Sequence, residues 1–243
     1  MDAWIYERAA DVGLPLADRM RQFPRGGGTA VCALRTTIQA AARTLLRTYH
    51  GFEVLGRENL PRGGSFVMVC NHSSHLDALC LLSALPLRRV HRAYPVAAAD
   101  YFFSTPLRTI ISVVVVNGLP FDRDRHGAAG LELCRQILEG PSNVLIMFPE
   151  GTRTRTGALA RFRSGAARLV AGTSTPVVPC HLSGAFEAWP RGQLAPRPGR
   201  LRLRIGRPRV FLDFSPADPD SVPWISEQLR DDVAALSREV NMR

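Results

Sequence analysis

Short apolar runs alternate with segments of helical periodicity along most of the chain. The runs with the length and composition of strands lie at residues 52–55, 65–70, 90–98, 143–148, 176–180 and 201–205. The segments with apolar residues at helical spacing lie at residues 76–84, 127–139, 164–172 and 223–240. This alternation predicts a single-domain α/β sandwich in which a mixed, mostly parallel central sheet is flanked by helices. The last strand alternates apolar residues with arginine, which predicts a position at the edge of the sheet.

The first 50 residues are interpreted as an N-terminal helical appendage to a domain that covers residues 51–243. Residues 25–28 read Arg-Gly-Gly-Gly, which is typical of a linker. Residues 29–50 have helical periodicity, and the apolar positions that share one stripe are Leu34, Ile38, Ala41, Leu45 and Tyr49. Arg35, Arg43 and Arg47 fall on the opposite half. Two interpretations stay open: the helix lies on an anionic membrane, or it packs on the domain with its arginines in solvent.

The charge of the chain predicts anionic partners. The chain contains no lysine, and its 31 basic residues are all arginine, against 21 acidic residues, which gives a formal net charge of +10. A GC-rich coding bias explains the replacement of lysine but not the excess of positive charge, which favours phosphate esters, acidic lipid surfaces or nucleic acid. Because aromatic residues make up only 7% of the chain and no nucleic-acid-binding motif is present, nucleic acid is not expected.

The cysteines and the apolar runs exclude several classes of protein. The five cysteines are scattered without CxxC spacing, so they predict reduced core residues rather than a disulfide framework or a zinc site. The longest apolar run, residues 110–116, is shorter than the ~18 residues that a membrane span requires. The first residues lack the pattern of a signal peptide. We therefore expect a protein that is at most peripherally attached to a membrane.

The first candidate site follows the apolar strand at residues 66–70. The chain there continues as Asn-His-Ser-Ser-His-Leu-Asp over residues 71–77. Groups at the carboxyl ends of strands gather at the ligand-binding edge of an α/β sheet, which places His72 at that edge. A turn at the start of the next helix lets the Asp77 carboxylate reach one ring nitrogen of His72, as a general base requires. The alternative is a histidine that closes a turn beside a capping aspartate.

The second candidate site follows the apolar strand at residues 143–148. Here the chain reads Pro-Glu-Gly-Thr-Arg over residues 149–153. Glu150 supplies a carboxylate, Gly151 allows close backbone approach, and Arg153 has the planar fork that suits phosphate. The alternative is a solvated basic loop.

Together the two motifs identify a family by resemblance. Residues 71–77 followed by residues 148–153 resemble the glycerolipid acyltransferases of the lysophosphatidic acid acyltransferase type. Two weaker blocks, residues 118–123 and residues 176–180, fit the family in the same order. The resemblance covers residues 50–212. It departs at residues 162–165, which read Phe-Arg-Ser-Gly where the family often has Phe-Lys-x-Gly.

The resemblance implies a role for each matching residue. His72 is implied to be the general base that takes the proton of an acceptor hydroxyl, and Asp77 to orient it. Glu150 and Gly151 are implied to shape the acceptor and oxyanion region. Arg123 and Arg153 are implied to bind the acceptor phosphate. His75 has the wrong spacing to Asp77 for a base and is interpreted as a residue on a helix face.

The resemblance also implies an activity. The expected reaction moves a fatty acyl group from acyl-CoA or acyl carrier protein to a lysophospholipid, above all 1-acylglycerol 3-phosphate, with no metal or redox cofactor. The expected location is the cytoplasmic face of the inner membrane, bound peripherally to its anionic surface. The alternatives are a relative that acylates a glycolipid, an alcohol or an acyl-amino acid, and a non-catalytic membrane-associated scaffold.

Overall fold

The computed structural model describes residues 29–98, 115–121 and 127–238, which form one sheet flanked by helices. The strands are β1 Glu53–Leu55, β2 Phe66–Cys70, β3 Ala93–Ala98, β4 Leu119–Phe121, β5 Val144–Met147, β6 Val177–Ser183 and β7 Arg202–Ile205. The helices are α1 Thr29–His50, α2 Asp77–Ala84, α3 Leu87–Val90, α4 Gly127–Glu139, α5 Gly165–Val170, α6 Ala185–Ala188 and α7 Ser221–Arg238. The predicted α/β sandwich is confirmed.

The sheet has seven strands in the order β1-β7-β6-β2-β5-β3-β4. Every neighbouring pair is parallel except β6 and β7, so the sheet is mixed and mostly parallel, as predicted. The prediction that the arginine-rich strand lies at an edge is wrong, because β7 lies between β1 and β6. The alternation of arginine and apolar residues in β7 reflects its two faces. Leu203 is buried in the core, whereas Arg202 pairs with Glu53 of β1 at 2.8 Å.

Two cores lie on opposite faces of the sheet, and alternate residues of β2 contribute to each. Phe66, Met68 and Cys70 pack in the core that includes α2, and Val67 and Val69 pack in the core that includes α5 and α7. All five residues of β2 are buried, since a central strand is covered on both faces. The strand that carries the first motif is therefore held rigidly in the middle of the sheet.

One predicted strand begins later than expected, because a short helix precedes it. The apolar run from residue 90 predicts a strand, but β3 starts at Ala93 and residues Leu87–Val90 form α3. Pro86 stands immediately before this helix with φ −56° and ψ 141°. Proline ends α2 and fits the start of a new helix because it has no N–H to leave unpaired.

Helix α1 packs on the domain with a face that carries polar residues, although its apolar stripe predicts the opposite orientation. Leu34, Leu45 and Tyr49 are 50%, 58% and 42% exposed, whereas Arg35 and Gln39 are buried. The apolar stripe therefore faces solvent. The interpretation in which the arginines of this helix are all solvated is wrong for Arg35.

Hydrogen bonds to distant carbonyl groups explain why polar residues of α1 face inward. Gln39 Nε2 donates to the Val115 carbonyl oxygen at 2.7 Å. Arg43 Nη2 donates to the carbonyl oxygens of Leu82 and Leu85, at the carboxyl end of α2. A cation at this end of a helix also interacts favourably with the helix dipole.

In the described part of the chain, no helix is both long enough and apolar enough to cross a bilayer.

Candidate active site

The predicted contact between His72 and Asp77 is present in the structure. His72 follows β2, and Asp77 is the first residue of α2. His72 Nδ1 lies 2.7 Å from Asp77 Oδ2. Asp77 is fully buried, and the side chain of His72 keeps 18% of its surface exposed. No described residue bonds to the other ring nitrogen, Nε2, so this is the atom that can meet a substrate.

Asp77 holds the loop as well as the histidine. Its Oδ2 also accepts hydrogen bonds from the backbone N–H groups of Ser73 at 2.7 Å and Ser74 at 2.9 Å. The other oxygen, Oδ1, is buried and has no hydrogen-bond partner in the part of the chain that the structure describes. One oxygen thus accepts three hydrogen bonds, which fixes the His72 ring relative to the turn that precedes α2.

Glu150 is bound to backbone on both of its oxygens. Oε1 accepts the backbone N–H of His72 at 2.6 Å, and Oε2 accepts that of Ala160 at 3.0 Å. Burial raises the pKa of the Glu150 carboxyl, while these two hydrogen bonds oppose the rise. The carboxylate therefore ties the loop of His72 to the segment around Ala160.

The second motif surrounds His72 from two more directions. The Phe148 ring is stacked on the His72 ring, with centroids 4.2 Å apart and planes inclined by 18°. The Thr154 N–H donates to the His72 carbonyl oxygen at 2.8 Å. These contacts are possible because β2 and β5 are parallel neighbours. Met147, the last residue of β5, lies opposite Val69, one residue before the end of β2.

Gly151 occupies a position that other residues do not fit. Its φ is +77°, a backbone conformation that favours glycine. A Cβ at this position would lie 2.6 Å from Arg163 Nε and 2.8 Å from its Cδ. The glycine therefore lets the Arg163 side chain pass against the backbone of the second motif.

Arg153 is held by a histidine that the sequence interpretation assigned to a helix face. Its Nη1 lies 2.5 Å from His75 Nε2. Burial, together with the charge of Arg153, lowers the pKa of His75 to about 4, so His75 is neutral at pH 7 and accepts this hydrogen bond. His75 precedes α2 rather than lying on it, which corrects that interpretation.

Trp189 packs beside His75 at the site, and the sequence analysis did not predict this residue as part of the site. The rings of Trp189 and His75 have centroids 5.1 Å apart. Ser74 Oγ donates to the Trp189 carbonyl oxygen at 2.8 Å. The motifs described above end before Trp189 and give no signal of its contact with His75.

The two weaker sequence blocks of the resemblance lie at different distances from the site. Residues 176–180 enter β6, which pairs with β2 beside the site, so this block supports the strand that carries His72. Residues 119–121 form β4 at the outer edge of the sheet. Arg123 lies outside the described residues, so the structure places only Arg153 of the two arginines implied to bind phosphate.

The cysteines and the metal-ligating residues add no further site. Among the described residues, no cluster of histidine, cysteine, aspartate or glutamate could hold a metal ion. None of the five cysteines is in a disulfide, and the buried ones are Cys70, Cys80, Cys134 and Cys180. Burial raises the pKa of the Cys134 thiol to about 12, which makes it unreactive. The prediction of reduced core cysteines is confirmed for these four.

Comparison with known proteins identifies the family. The sequence profile of the family described as Acyltransferase matches residues 51–183, more than half of the chain. The chain belongs to this family. The matched range includes His72, Asp77 and Arg153, and Trp189 lies beyond it.

Relatives of this acyltransferase-family chain occur in animals and bacteria. It is 28% identical over 194 residues to the 1-acyl-sn-glycerol-3-phosphate acyltransferase alpha of Bos taurus, covering 78% of this chain and 63% of the bovine protein. It is 25% identical over 176 residues to the 1-acyl-sn-glycerol-3-phosphate acyltransferase of Bacillus subtilis, covering 72% and 82%. This chain therefore spans less than two thirds of the bovine relative but most of the bacterial one.

A solved structure shares the fold. The crystal structure of the 1-acyl-sn-glycerophosphate (LPA) acyltransferase PlsC from Thermotoga maritima superposes with a TM-score of 0.66. The alignment covers 93% of this chain and 88% of that chain at 21% sequence identity. At this identity the match supports the fold and not the activity.

Proposed function

We propose that the protein transfers a fatty acyl group from a thioester donor to the free hydroxyl of 1-acylglycerol 3-phosphate, which gives phosphatidate and a free thiol. The observation that carries the proposal is the His72–Asp77 pair at the carboxyl end of β2, with Arg153 held close to it by His75. The family, and the names of the bovine and bacterial relatives, support this reaction and this acceptor.

In this mechanism His72 is the general base. Nε2 takes the proton of the acceptor hydroxyl as its oxygen attacks the thioester carbonyl, and the resulting imidazolium is stabilised by Asp77 at Nδ1. The tetrahedral intermediate collapses by breaking the carbon–sulfur bond, and the leaving sulfur takes the proton from Nε2. Because a thiolate leaves readily, base catalysis and positioning suffice for this reaction without a metal or redox cofactor.

Arg153 is proposed to bind the acceptor phosphate. A guanidinium presents five N–H donors in a planar fork, and one of those on Nη1 is directed at His75. That bond fixes the plane of the fork, which favours bidentate recognition of phosphate. The resemblance assigns Arg123 to the same phosphate.

The direct test combines product formation with a matched pair of variants. Purified protein with a long-chain acyl-CoA and 1-acylglycerol 3-phosphate should release thiol and form phosphatidate in equal amounts. His72→Ala should lower kcat by about 10²- to 10⁴-fold, the range of general-base catalysis. His181→Gln, which removes a histidine of β6 outside the site, should keep near wild-type activity.

The outcomes of this test separate the alternatives. Transfer to a glycolipid, an alcohol or an acyl-amino acid, but not to 1-acylglycerol 3-phosphate, would replace the proposed acceptor and keep His72 as the base. Full activity in His72→Ala would refute the assignment of the base. Absence of transfer from every thioester donor to every acceptor would favour the non-catalytic scaffold.

We also propose that the protein binds peripherally to the anionic cytoplasmic surface of the inner membrane through α1. The support is the exposed apolar stripe that includes Leu34, Leu45 and Tyr49, together with the net charge of +10. In flotation with vesicles that contain anionic lipid, Leu45→Asp should reduce the bound fraction. Leu212→Asp makes the same change at a leucine that is also 58% exposed but lies beside Phe211 of the core on the α5 and α7 face, and it should not. Equal binding of both variants would contradict the assignment to α1.

A further inference from the structure

A small pocket lies between α1, α2 and the segment around β1, and none of its residues takes part in the mechanism above. Its volume is about 240 Å³, and it is lined by Arg43, Arg47, Phe52, Val54, Arg57 and Ser83. Ser83 follows Asp77 by six residues on α2, so the two are about 9 Å apart along the helix axis. The pocket is therefore a separate site from the one around His72.

Three guanidinium groups share this pocket. Arg43 and Arg47 lie one turn apart on α1, and Arg57 begins the helical turn Arg57–Asn59 that follows β1. Burial lowers the pKa of the Arg43 guanidinium, and the positive charges of Arg57 and Arg47 lower it further, so the three charges lie close enough to repel one another. Within the described residues, the guanidinium groups of Arg47 and Arg57 have no hydrogen-bond or ionic partner.

No carboxylate of the described part of the chain lines this pocket. The two acidic residues closest to Arg57 in the sequence are engaged elsewhere. Glu53 pairs with Arg202 of β7 at 2.8 Å. Glu58 lines the neighbouring pocket, whose other charged residues besides Arg57 are Arg62, Arg88 and Arg89. The positive charge of the pocket is therefore left for an anion from outside the chain to neutralise.

Two buried donors of the pocket residues also lack an acceptor. Ser83 is 3% exposed, and its Oγ has no hydrogen-bond partner among the described residues. Arg43 Nε is buried and likewise has no partner there. The Arg43 side chain is nevertheless fixed in position, because its Nη2 donates to the carbonyl oxygens of Leu82 and Leu85. Since leaving buried donors unpaired is unfavourable, the pocket provides preorganised donors for a ligand with acceptor oxygens.

We propose that this pocket binds a phosphate monoester group, carried by a small soluble molecule or by a lipid headgroup. Such a group has a charge of about −1.5 to −2 at pH 7 and three strong acceptor oxygens, so it can pair with several guanidinium groups at once. The volume lies below the ~300–1000 Å³ of sites for drug-sized ligands, which suits a phosphate with a small substituent. Phe52 and Val54 supply the apolar contacts for its carbon atoms.

The test is calorimetric titration with inorganic phosphate and with glycerol 3-phosphate at constant ionic strength. All proteins carry Arg153→Gln, which weakens the proposed acceptor site. Arg47→Gln/Arg57→Gln should weaken binding by about tenfold or more, because it removes charge-assisted hydrogen bonds to phosphate. Arg197→Gln/Arg238→Gln makes the same change in net charge at two exposed arginines outside the pocket and should bind like the Arg153→Gln parent. Equal affinities in the two double variants would overturn the proposal.

Ser83→Ala tests the pocket without changing its charge, and it serves as well if the arginine variant fails to fold. In urea unfolding without phosphate, this variant should be at least as stable as its parent, since Oγ has no hydrogen bond to lose among the described residues. Its affinity for phosphate should nevertheless be about two- to tenfold weaker, the effect of one hydrogen bond. Unchanged affinity would refute the placement of the phosphate beside Ser83.

Flotation with vesicles of phosphatidylcholine that contain phosphatidate separates the two sources of the phosphate. If Arg47→Gln/Arg57→Gln loses affinity for glycerol 3-phosphate but floats like its control, the ligand is a soluble ester. If it also floats less than its control, or only floats less, the ligand is the lipid headgroup. None of these measurements needs turnover, so phosphate binding at this pocket in a protein that transfers no acyl group would refute the proposed function and retain the pocket.

Discussion

Replacing Asp77 with asparagine would separate the charge of this side chain from its hydrogen bonds. The Asn oxygen can still accept from the N–H groups of Ser73 and Ser74, now 2.7 and 2.9 Å away. Its NH₂ group would occupy the place of Oδ1, which has no hydrogen-bond partner among the described residues. Because a buried NH₂ group without a partner replaces a buried oxygen without a partner, their costs offset, and we expect the free energy of unfolding to change by only about 1 kcal/mol.

The same substitution should damage catalysis much more than stability. Without the carboxylate, the imidazolium that forms on His72 loses the negative charge that stabilises it, although the amide oxygen in the place of Oδ2 still accepts a hydrogen bond from Nδ1. We expect kcat to fall by about 10²-fold or more, since this removes most of the benefit of general-base catalysis.

Asp77→Ala is the comparison that shows how much the hydrogen bonds contribute. It leaves the N–H groups of Ser73 and Ser74 buried without an acceptor. At about 1–3 kcal/mol for each unsatisfied group, unfolding should become easier by about 2–6 kcal/mol. The whole stability of a domain is about 5–15 kcal/mol, so this loss is large enough to measure.

Two measurements on the wild type, Asp77→Asn and Asp77→Ala separate the effect of the charge from that of the hydrogen bonds. Urea unfolding gives the free energies, and initial rates with acyl-CoA and 1-acylglycerol 3-phosphate give kcat. The expected pattern is a stable but inactive Asp77→Asn and an unstable, inactive Asp77→Ala. If Asp77→Asn kept kcat within about threefold of wild type, the argument that this carboxylate tunes His72 would be refuted. If both variants lost the same stability, the charge rather than the acceptor oxygen would hold the loop.

Two further predictions concern stability. Gly151→Ala should cost at least about 1–2 kcal/mol because its φ is +77°, whereas Gly165→Ala, which meets no atom within 4 Å, should be close to neutral or stabilising in the same urea assay. The pKa values of His75 and His181 are lowered to about 4 in the folded protein, below the ordinary value of 6.5, so unfolding takes up protons and its free energy should fall as pH drops from about 6.5 towards 4. Between pH 6.5 and 4, the slope of the unfolding free energy against pH reports the protons taken up on unfolding, and His75→Gln should reduce it by about one proton. An unchanged slope would show that His75 is not neutral in the folded state.

The parts of the site that could be predicted are those built from residues close together in the sequence. His72 and Asp77 are five positions apart at the end of a buried strand, so strand and turn geometry alone bring them together. The meeting of the two motifs at one sheet edge also followed from two parallel strands with polar residues at their carboxyl ends.

The orientation of α1 could not be predicted, because periodicity says which residues share a face but not which face is covered. Leu34 and Leu45 share a stripe, as expected, yet that stripe is exposed. Gln39 and Arg43 face inward since carbonyl groups near residues 82–85 and 115, far along the chain, accept their hydrogen bonds. The same limit applies to β7, whose outer neighbour β1 comes from the start of the domain.

The second motif combines two separate tasks, which its sequence does not reveal. Phe148 stacks on the His72 ring, Glu150 accepts the His72 N–H, and Thr154 donates to its carbonyl oxygen. These three contacts position the base, whereas Arg153 points to His75 and the proposed acceptor phosphate. Substitutions of Glu150 should therefore resemble loss of the base and lower kcat. Substitutions of Arg153 should resemble loss of a phosphate ligand and raise the KM of the acceptor. A motif that reads as one continuous segment thus divides by residue between holding the catalytic group and holding the substrate.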